Sequence, residues 1–410
     1  MRILYVVHEF FPRFFGGTSR YVLNLAHQMQ QMGHHVEVLT YGLDEPADAF
    51  PDTVGAMLAR SYVHEGIQVH CLRHRVVPPT LGHRISDLEV VAAMDLFLDR
   101  APFDLVHIAH PMRLAACHQA LRKRGVPLVL TLTDFWLLCP RGRFFKLDYS
   151  PCNSPEGGAK CIRECLVESS IRTRYVEARE LFDTAGALIS PSQFLIDVFH
   201  RCGWRRAISR INHGVDNRFV APLPSLRRAN GKIHVGYTGV VSRFKGVDML
   251  LKAFRAVAAP NLLLRIYGNL LDDGSFISEV NFAFGSDPRI YLMNRYDHEE
   301  LPQVMSDIDV MVVPSTTLDS YGLVVVESFA AGVPVIATDM VGSALEFIRD
   351  GENGFVFPAN RPEKLSQILE RLSRDPEIVE RLRAGITPPP RIEEEAFQVE
   401  LVYRSLVGRR

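Results

Sequence analysis

Two carboxylates that flank a glycine turn are the part of this sequence most able to do chemistry. Asp319 and Glu327 lie eight positions apart on either side of Gly322, where a loop turns into a helix. The N–H groups of Gly322, Leu323 and Val324 would then point at an anion, helped by the helix dipole. Glu327 lies about one turn into the helix, where it can bond ribose hydroxyls, and Asp319 can bond a second polyol. A diphosphate between two such carboxylates is, in outline, a site for a sugar nucleotide.

The elements that must hold this stretch are strands and helices in alternation. Short apolar runs predict buried parallel strands and amphipathic runs predict helices. The predicted strands nearest the candidate residues are 3–7, 127–132, 234–240 and 309–313, and the predicted helices are 19–32, 247–257, 323–331 and 362–373. The pattern indicates an α/β chain with two doubly wound, Rossmann-like domains facing a central cleft, where ligands bind in such folds.

The predicted domains divide the chain near a turn-rich, charged segment at residues 222–231. The first domain covers residues 1–220 and the second 221–390, with a C-terminal segment over 391–410. A cysteine-containing insertion at 136–168 belongs to the first domain and is expected beside the cleft.

Composition excludes several classes of protein. The 410 residues contain 46 Lys+Arg and 47 Asp+Glu, for a formal net charge of -1, so a dedicated nucleic-acid binder is not expected. No apolar run approaches the roughly 18 residues of a spanning helix, and residues 3–7 are too short a run for a signal peptide. The sequence therefore predicts a cytoplasmic protein. The basic region 201–210 around Trp204 is either a contact with the inner face of a membrane or a solvated helix end.

The seven cysteines are unevenly spread. An odd number fits a reducing compartment better than a disulfide framework. Four of them, Cys139, Cys152, Cys161 and Cys165, fall in one segment and could bind a structural zinc ion tetrahedrally. Their spacing lacks the usual two-residue knuckle, so unligated thiols are the other interpretation. A separate acidic run, residues 393–395, is expected to be a solvated helix face.

The stretch from residue 314 to 354 resembles the signature of family 4 retaining glycosyltransferases with the GT-B fold. That signature has two acidic residues separated by seven others, followed by a run similar to residues 331–336. The resemblance extends over nearly the whole chain through four further motifs. They are Gly16-Gly17, Ser-Pro-Ser at 190–192, His-Gly-Val-Asp at 213–216 and Lys-Gly-Val-Asp at 245–248.

The resemblance implies roles for individual positions on the donor side. Glu327 would hold the nucleotide ribose, and Asp319, where the family usually has Glu, would contact the donor sugar. Lys245 would neutralise the donor diphosphate. Arg243 is the nearest guanidinium that could replace the arginine the family often carries slightly upstream. Gly16 and Gly17 would close on the diphosphate from the other domain, because only glycine lets a backbone approach so closely.

At the donor-sugar end of the cleft the resemblance identifies a departure. Family members commonly have a His-Asp pair after the strand corresponding to 127–132, whereas this chain has Thr133 and Asp134. Thr133 cannot be a base near neutral pH but can bond a sugar hydroxyl. His107 and His110 either fill part of the missing role or are ordinary strand-end histidines. Asp134 is a candidate for orienting the acceptor.

The resemblance implies a retaining glycosyltransferase that moves a sugar from a nucleoside-diphosphate sugar to an acceptor hydroxyl. The acceptor would be a small molecule, a glycan or a lipid-linked compound, bound by the N-terminal domain, whose loops include residues 41–79. The donor would be bound by the C-terminal domain, with no cofactor or divalent ion required. The last helix, around residues 397–407, would cross back onto the N-terminal domain.

Two alternatives remain at the level of sequence. Thr133 and Asp319 keep open a non-catalytic sugar-nucleotide-binding or scaffolding protein with a decayed site. A nicotinamide-dependent dehydrogenase would need G-x-G-x-x-G after the first strand, and the chain has only Gly16-Gly17 there. The triplet at residues 307–309 has the Asp-x-Asp form that is the signature of metal and nucleotide binding in another glycosyltransferase fold. Because it directly precedes an apolar strand here, we interpret it as a helix-to-strand junction.

Overall fold

The computed structural model describes residues 1–14, 16–148, 150–165, 167–216, 231–271, 274–293 and 295–408. They divide into two compact units. Unit 1 consists of Met1–His213 and Ile392–Arg410, and unit 2 of Gly214–Arg391. The domain boundary expected at 220/221 and residues 222–230 of the expected linker lie outside the described residues. Among the described helices, none is both long enough and apolar enough to cross a bilayer.

Unit 1 is built on a sheet that has nine strands within the described residues, in the order β3-β4-β5-β2-β1-β6-β7-β8-β9. The strands are β1 (Arg2–Val6), β2 (His35–Tyr41), β3 (Asp52–Val54), β4 (Met57–His64), β5 (Ile67–Arg73), β6 (Leu105–Ile108), β7 (Leu128–Thr131), β8 (Ala187–Ser190) and β9 (Ser209–Arg210). Neighbours are parallel except β3, β4 and β5, which form an antiparallel meander.

The meander lies where the sequence predicted only loops, at residues 41–79. Its middle strand, β4, is fully buried over its first three residues and then alternates between half-buried and exposed. The strand is covered on both faces at its start and on one face further along, so its apolar residues do not follow one period. Sequence periodicity therefore gives no clear signal there.

Unit 1 also contains α-helices. They are α1 (Gly17–Gln31), α2 (Leu88–Arg100), α3 (Cys117–Arg124), α4 (Ala159–Cys165), α5 (Ile171–Thr184), α6 (Gln193–Arg201) and α14 (Ile392–Val407). The helix predicted at 19–32 is confirmed as α1, in which Tyr21, Leu25 and Met29, spaced by four, are buried. In α14 the fully buried Tyr403 places its hydroxyl 3.0 Å from that of Tyr5 in β1. The last helix is thus part of the core of unit 1.

The acidic run at the start of α14 is only partly a solvated face. Glu393 and Glu394 are exposed, as expected. Glu395 is buried, and its Oε1 accepts a hydrogen bond from Nδ1 of His213 at 2.8 Å. Glu395 precedes the buried Ala396 and belongs to the face that α14 turns to the sheet.

Unit 2 has a parallel sheet that comprises six strands among its described residues, in the order β12-β11-β10-β13-β14-β15. The strands are β10 (Ile233–Thr238), β11 (Leu262–Tyr267), β12 (Ile290–Met293), β13 (Val310–Val313), β14 (Val335–Thr338) and β15 (Gly354–Phe357). The helices are α7 (Val247–Arg255), α8 (Gly274–Ser286), α9 (Leu301–Ser306), α10 (Leu323–Ala330), α11 (Gly342–Phe347), α12 (Pro362–Arg374) and α13 (Glu377–Ala384). Strands β10, β13 and β14 are buried at every residue, which fits the continuous apolar sequence of β13.

The Asp-x-Asp triplet joins α9 to β13, as predicted. Asp307 accepts a hydrogen bond from the hydroxyl of Tyr267 at 2.6 Å and pairs with Arg265 at 2.9 Å. Asp309 accepts from the backbone N–H of His234 at 2.7 Å. Both carboxylates therefore tie the strands of unit 2 together.

Candidate active site

Two of the predicted donor residues meet at the carboxyl edge of the sheet of unit 2. Lys245 follows β10 and Asp319 follows β13, and these two strands are neighbours. Nζ of Lys245 lies 2.5 Å from Oδ2 of Asp319. The hydroxyl of Ser315 is a further donor to that oxygen at 3.5 Å. The Lys245 side chain is 35% exposed and that of Asp319 is 16% exposed, so a ligand can reach the pair.

A glycine lets the two loops approach each other. Gly246 has a φ of +74°, and a Cβ added to it would lie 1.9 Å from the backbone oxygen of Pro314. No other residue could occupy this position without moving the backbone. The hydroxyl of Thr316 donates to the backbone oxygen of Arg243 at 3.0 Å and links the same two loops. The contact fixes the spacing between the loop that carries Lys245 and the loop that leads to α10.

The N-terminus of α10 is held by the start of α11. Gly322 precedes α10 with a φ of +84°, and a Cβ there would lie 2.6 Å from Cγ1 of Val341. The hydroxyl of Ser343 donates to the backbone oxygen of Gly322 at 2.9 Å. The N–H groups of Leu323 and Val324 lie in the first turn, so the helix itself offers them no carbonyl. Such a terminus can receive an anion.

The two carboxylates of the motif have different surroundings. The backbone of Asp319 is fixed on both sides, since its N–H donates to Met340 at 2.8 Å and its carbonyl accepts from Gly342 at 3.0 Å. Glu327 is half-buried in α10. Burial, and then the negative charge of Glu327, raise the pKa of Tyr296 above its usual value. Tyr296 is therefore a neighbour of Glu327 that the sequence pattern did not reveal.

Arg243, the predicted second cation, points elsewhere. Its guanidinium pairs with Glu279 of α8 at 3.2 Å and lies over the ring of Phe276 at 5.1 Å. Lys245 therefore contacts Asp319, whereas Arg243 pairs with Glu279 instead. A phosphate that uses Arg243 must compete with the carboxylate of Glu279.

The glycine pair of unit 1 marks the beginning of α1. Gly16 precedes the helix and Gly17 is its first residue, and both are exposed. Gly16 has a φ of -70°, and a Cβ added to it would meet nothing within 4 Å. Neither backbone conformation nor packing inside the protein requires glycine at residue 16. The role of Gly16 and Gly17 at the donor diphosphate stays a prediction.

His110 and Asp134 form a pair at the carboxyl ends of β6 and β7. The N–H of Met112 donates to Nδ1 of His110 at 3.2 Å, which assigns that nitrogen as an acceptor. Nε2 therefore carries the proton and donates to Oδ2 of Asp134 at 3.1 Å. The other oxygen of Asp134 accepts from the N–H of Trp136 at 2.8 Å. The Asp134 side chain is 36% exposed, so its remaining lone pairs face solvent.

The neighbouring candidates, Thr133 and His107, are bound to the protein itself. The hydroxyl of Thr133 donates to the backbone oxygen of Ala109 at 3.2 Å. His107 is fully buried, with one ring nitrogen 2.6 Å from the hydroxyl of Tyr403 and the other 2.6 Å from that of Thr131. Burial lowers the pKa of His107 to about 3. The interpretation of His107 as a substitute for the family histidine is therefore wrong.

A further polar cluster at the end of β1 was not found from the sequence. His8 lies against His110 with 3.9 Å between ring centroids, and burial lowers its pKa well below the usual value. Glu9 pairs with Arg113 at 3.0 Å, and Arg113 also donates to the backbone oxygen of His8 at 3.2 Å. Arg113 has a φ of +68°, which is unusual for a residue with a side chain. The signal available was that His8 and Glu9 directly follow a buried strand.

The four-cysteine segment shows no preformed arrangement for a metal ion among its described residues. Among the described residues, no group of three or more His, Cys, Asp or Glu side chains is arranged to hold a metal ion. The four cysteines are free thiols, and burial raises the pKa of Cys161 to about 12. The structural zinc prediction for Cys139, Cys152, Cys161 and Cys165 therefore has no support from the described residues.

The segment that contains these cysteines is instead anchored by a buried arginine. Arg174 of α5 donates to the backbone oxygens of Trp136, of Leu137 at 3.0 Å and of His83 at 2.6 Å. Its guanidinium also lies 4.6 Å from the ring centre of Trp136. Arg174 thus holds the chain that follows Asp134.

The basic region at 201–210 is partly used in packing. Trp204 is fully buried and donates to the hydroxyl of Tyr175 at 2.6 Å, so it is not available to a membrane. Arg206 donates to the backbone oxygens of Phe182 and Ala185 at 2.5 and 2.9 Å. Trp204 and Arg206, two of the residues that suggested a membrane contact, are thus used in packing within unit 1.

Comparisons with known proteins cover both units. A family model described as "Glycosyltransferase Family 4" matches residues 15–219, and one described as "Glycosyl transferases group 1" matches residues 224–386. The D-inositol 3-phosphate glycosyltransferase of Streptomyces bingchenggensis is 39% identical over 405 residues, covering 90% of this chain and 80% of that protein. The protein of the same name from Jonesia denitrificans is 26% identical over 400 residues, covering 90% and 86%.

Solved structures extend the similarity to the whole fold. Sucrose-phosphate synthase from Thermosynechococcus elongatus has a TM-score of 0.75 at 19% identity and covers 100% of both chains. HepE of Anabaena, in complex with UDP and glucose, has a TM-score of 0.71 at 20% identity and covers 99% of this chain and 100% of its own. The predicted fold class, α/β with two Rossmann-like parallel-sheet domains, is therefore confirmed.

Proposed function

This chain belongs to glycosyltransferase family 4, and on that basis we propose that it transfers a sugar with retention of anomeric configuration. The GT-B fold and sugar transfer follow from family membership, and the non-catalytic alternative is not favoured. The proposed donor is a nucleoside-diphosphate sugar, in line with the UDP and UDP-glucose complexes of HepE. The proposed acceptor group is a hydroxyl.

One observation carries the donor assignment, namely the meeting of Lys245, Asp319 and the N-terminus of α10 at one edge of the sheet. Lys245 and the first N–H groups of α10 supply positive charge for a diphosphate, which becomes more negative as it leaves. Asp319 then accepts hydrogen bonds from the donor sugar. Glu327 binds the ribose from its half-buried place in α10. Arg243 contributes only when it leaves Glu279.

Asp134 is the proposed acceptor-orienting residue of unit 1. Hydrogen bonds from His110 and from the backbone of Trp136 fix its carboxylate while leaving it 36% exposed. Both ring nitrogens of His110 are already engaged, so His110 acts as a positioning residue. Thr133, whose hydroxyl donates to Ala109, is the proposed hydrogen-bonding contact with a sugar hydroxyl.

The proposed reaction occurs on one face of the donor sugar. The bond between the anomeric carbon and the phosphate oxygen breaks, and a bond from that carbon to the acceptor oxygen forms on the same side. The acceptor proton passes to the departing phosphate oxygen, so no protein base has to take it. The cation and N–H donors around the diphosphate lower the barrier to its departure.

Product stereochemistry tests this proposal. The purified protein is incubated with UDP-glucose, GDP-mannose or ADP-glucose and a panel of polyol acceptors, with and without EDTA. Proton NMR of the new glycosidic bond should show the anomeric configuration of the donor, and EDTA should leave the rate unchanged. An inverted product would refute retention, and a rate abolished by EDTA and restored by a divalent ion would refute metal independence.

A further inference from the structure

We propose that an open depression of about 570 Å³ on unit 1 binds the phosphate group of an anionic ligand. The residues that line it are His200, Arg201, Arg205, Arg206 and Ala207. The lining thus combines three guanidinium groups with an imidazole, and it contains no Asp or Glu among the residues that the structure describes. Such a site goes beyond the proposed sugar transfer and does not depend on it.

The depression lies at the opposite edge of the sheet from the proposed acceptor contacts. Strands β8 and β9 are parallel, and α6 connects them. The chain therefore leaves the carboxyl end of β8, runs back along α6 and reaches the amino edge of the sheet before β9 begins. Residues 200–207 form the end of α6 and this last connection. His110 and Asp134 follow the carboxyl ends of β6 and β7, so the depression is a separate site.

Two of the basic side chains are held in place by the protein. The guanidinium group of Arg206 donates to the backbone oxygens of Phe182, Asp183 and Ala185 at 2.5, 3.0 and 2.9 Å. Nε2 of His200 donates to the backbone oxygen of Arg206 at 3.1 Å, because a carbonyl oxygen can only accept. These acceptors are neutral backbone groups, so they fix the position of Arg206 without balancing its charge.

The other two arginines of the lining are available to a ligand. Arg201 and Arg205 are exposed, and neither makes a hydrogen bond or an ion pair with any residue that the structure describes. Asp183, whose backbone contacts Arg206, does not supply a carboxylate to them. Its side chain pairs instead with Arg179 at 2.7 Å. Both guanidinium groups can therefore meet a ligand without first breaking a contact within the described part of the protein.

The two arginines are not needed to satisfy the end of α6. The backbone oxygens of Val198, Phe199 and His200 accept from the N–H groups of Cys202, Trp204 and Gly203 at 3.1, 3.0 and 3.0 Å. The carbonyl groups of the last turn therefore already have partners, and the burial of Trp204 fixes the chain that supplies them. The helix dipole can favour Arg201 in the last turn, but Arg205 lies beyond the helix. Capping alone thus does not account for this cluster of positive charge.

The charge of the depression favours a phosphate over a carboxylate. Its three guanidinium groups have no carboxylate beside them in the lining. A carboxylate ligand would neutralise one of these charges, whereas a phosphate monoester carries about 1.5 to 2 negative charges at neutral pH. Guanidinium groups also bind phosphate oxygens in pairs. The volume lies within the range of about 300 to 1,000 Å³ for small-molecule sites, so it can hold a phosphate with part of the group that carries it.

Titration of the full-length protein with inorganic pyrophosphate tests this site. Saturating UDP is present throughout, so that the proposed donor site does not contribute. Calorimetry should show one pyrophosphate bound per chain, at least about tenfold more tightly than acetate at the same ionic strength, because several charge-assisted bonds form at once. Absence of pyrophosphate binding, or an affinity no better than that of acetate, would overturn the proposal.

Two variants locate the binding. Arg201→Gln and Arg205→Gln should each weaken pyrophosphate binding by about ten- to a hundredfold, the effect of losing a charge-assisted bond. Their melting temperatures should equal that of the wild type, because neither side chain has a partner among the described residues. The matched control is Arg172→Gln, which removes an exposed charge from α5. Unchanged affinity in both variants, or an equal loss in the control, would refute the assignment to this depression. UDP affinity should be the same in every variant, so a failure of the donor proposal would be seen separately.

Vesicles distinguish the two sources of such a phosphate, a soluble compound and a lipid headgroup. The full-length protein is sedimented with vesicles of phosphatidylcholine alone and with vesicles that also contain phosphatidic acid, whose headgroup is a phosphate monoester. Sedimentation that requires phosphatidic acid and is lost when Arg201→Gln and Arg205→Gln are combined would identify a lipid headgroup. Pyrophosphate binding without sedimentation would identify a soluble ligand. Sedimentation that persists in the double variant would refute the lipid source.

Discussion

The ammonium group of Lys245 lies 2.5 Å from the carboxylate of Asp319, although the two residues are 74 positions apart in the chain. In the proposed function, Lys245 binds the donor diphosphate and Asp319 binds the donor sugar. The pair is partly exposed, and such pairs contribute about 0.2–1 kcal/mol. Lys245 can therefore exchange Asp319 for a phosphate at small cost, and Asp319 is then released to meet the sugar.

This exchange predicts opposite effects of two variants on UDP affinity. Asp319→Asn should bind UDP about two- to fivefold more tightly, because Lys245 then has no ion pair to break before it binds the diphosphate. Lys245→Met should bind UDP about ten- to a hundredfold more weakly, because it loses a charge-assisted hydrogen bond. Calorimetric titration with UDP measures both constants. The matched control is Lys252→Met on the exposed side of α7.

Turnover distinguishes the two roles further. Asp319→Asn should transfer sugar more slowly in spite of its tighter UDP binding, because the contact with the donor sugar is weakened. Weaker UDP binding by Asp319→Asn would show that the ion pair positions Lys245 for the phosphate instead of competing with it. Equal affinity in Lys245→Met would remove this lysine from the donor site.

Glu327 provides the second prediction. Glu327→Gln should lower kcat/KM for the donor by about 100- to 1,000-fold, because the ribose loses a charged acceptor that orients the nucleotide. The melting temperature should hold, since the side chain is half-buried and the substitution preserves its shape. Initial rates over a range of donor concentrations give the measurement, and Glu370→Gln on α12 is the control. An unaltered kcat/KM would refute the assignment of Glu327 to the nucleotide.

The positions of the donor loops could be predicted because short sequence signals define them. Runs of mainly apolar and β-forming residues locate β10 and β13, and the glycines at 246 and 322 mark the turns that follow. Parallel strands bring their carboxyl ends to one edge of a sheet, so Lys245 and Asp319 were expected at the same edge, and the structure shows that their strands are neighbours. Their direct contact depends on a loop spacing that only the structure gives.

Pairings between distant polar residues could not be predicted. Arg243 bonds to Glu279, and Arg174 bonds to three backbone oxygens, because tertiary packing brings these groups together. No local pattern distinguishes them from solvated arginines. Glu395 is different, since it precedes the buried Ala396 and could have been placed on the inner face of its helix. The sequence did not reveal that Glu395 pairs with His213, which lies 182 positions away in the chain.

The pairing of His110 with Asp134 provides the third prediction. His110→Leu should lower kcat/KM for the acceptor by about ten- to a hundredfold, because the carboxylate of Asp134 loses one of the two donors that orient it. UDP affinity should not change. His110→Gln should restore most of the rate, since its amide N–H can donate in place of Nε2. If His110→Gln were as slow as His110→Leu, the imidazole itself would be required and the positioning role would be wrong.

The buried His107 predicts how stability depends on pH. Burial lowers its pKa from 6.5 to about 3, so between these values the unfolded chain binds a proton that the folded protein does not. The contribution of His107 to stability is therefore complete above pH 6.5 and is lost as the pH falls towards 3, by about 1.4 kcal/mol per pH unit. His107→Gln cannot titrate, so its free energy of unfolding should fall by about 3 kcal/mol less than that of the wild type between pH 6.5 and 4. Denaturant titrations at a series of pH values measure this slope. An identical slope in His107→Gln and the wild type would show that the buried network of His107, Tyr403 and Thr131 accepts a proton without loss of stability.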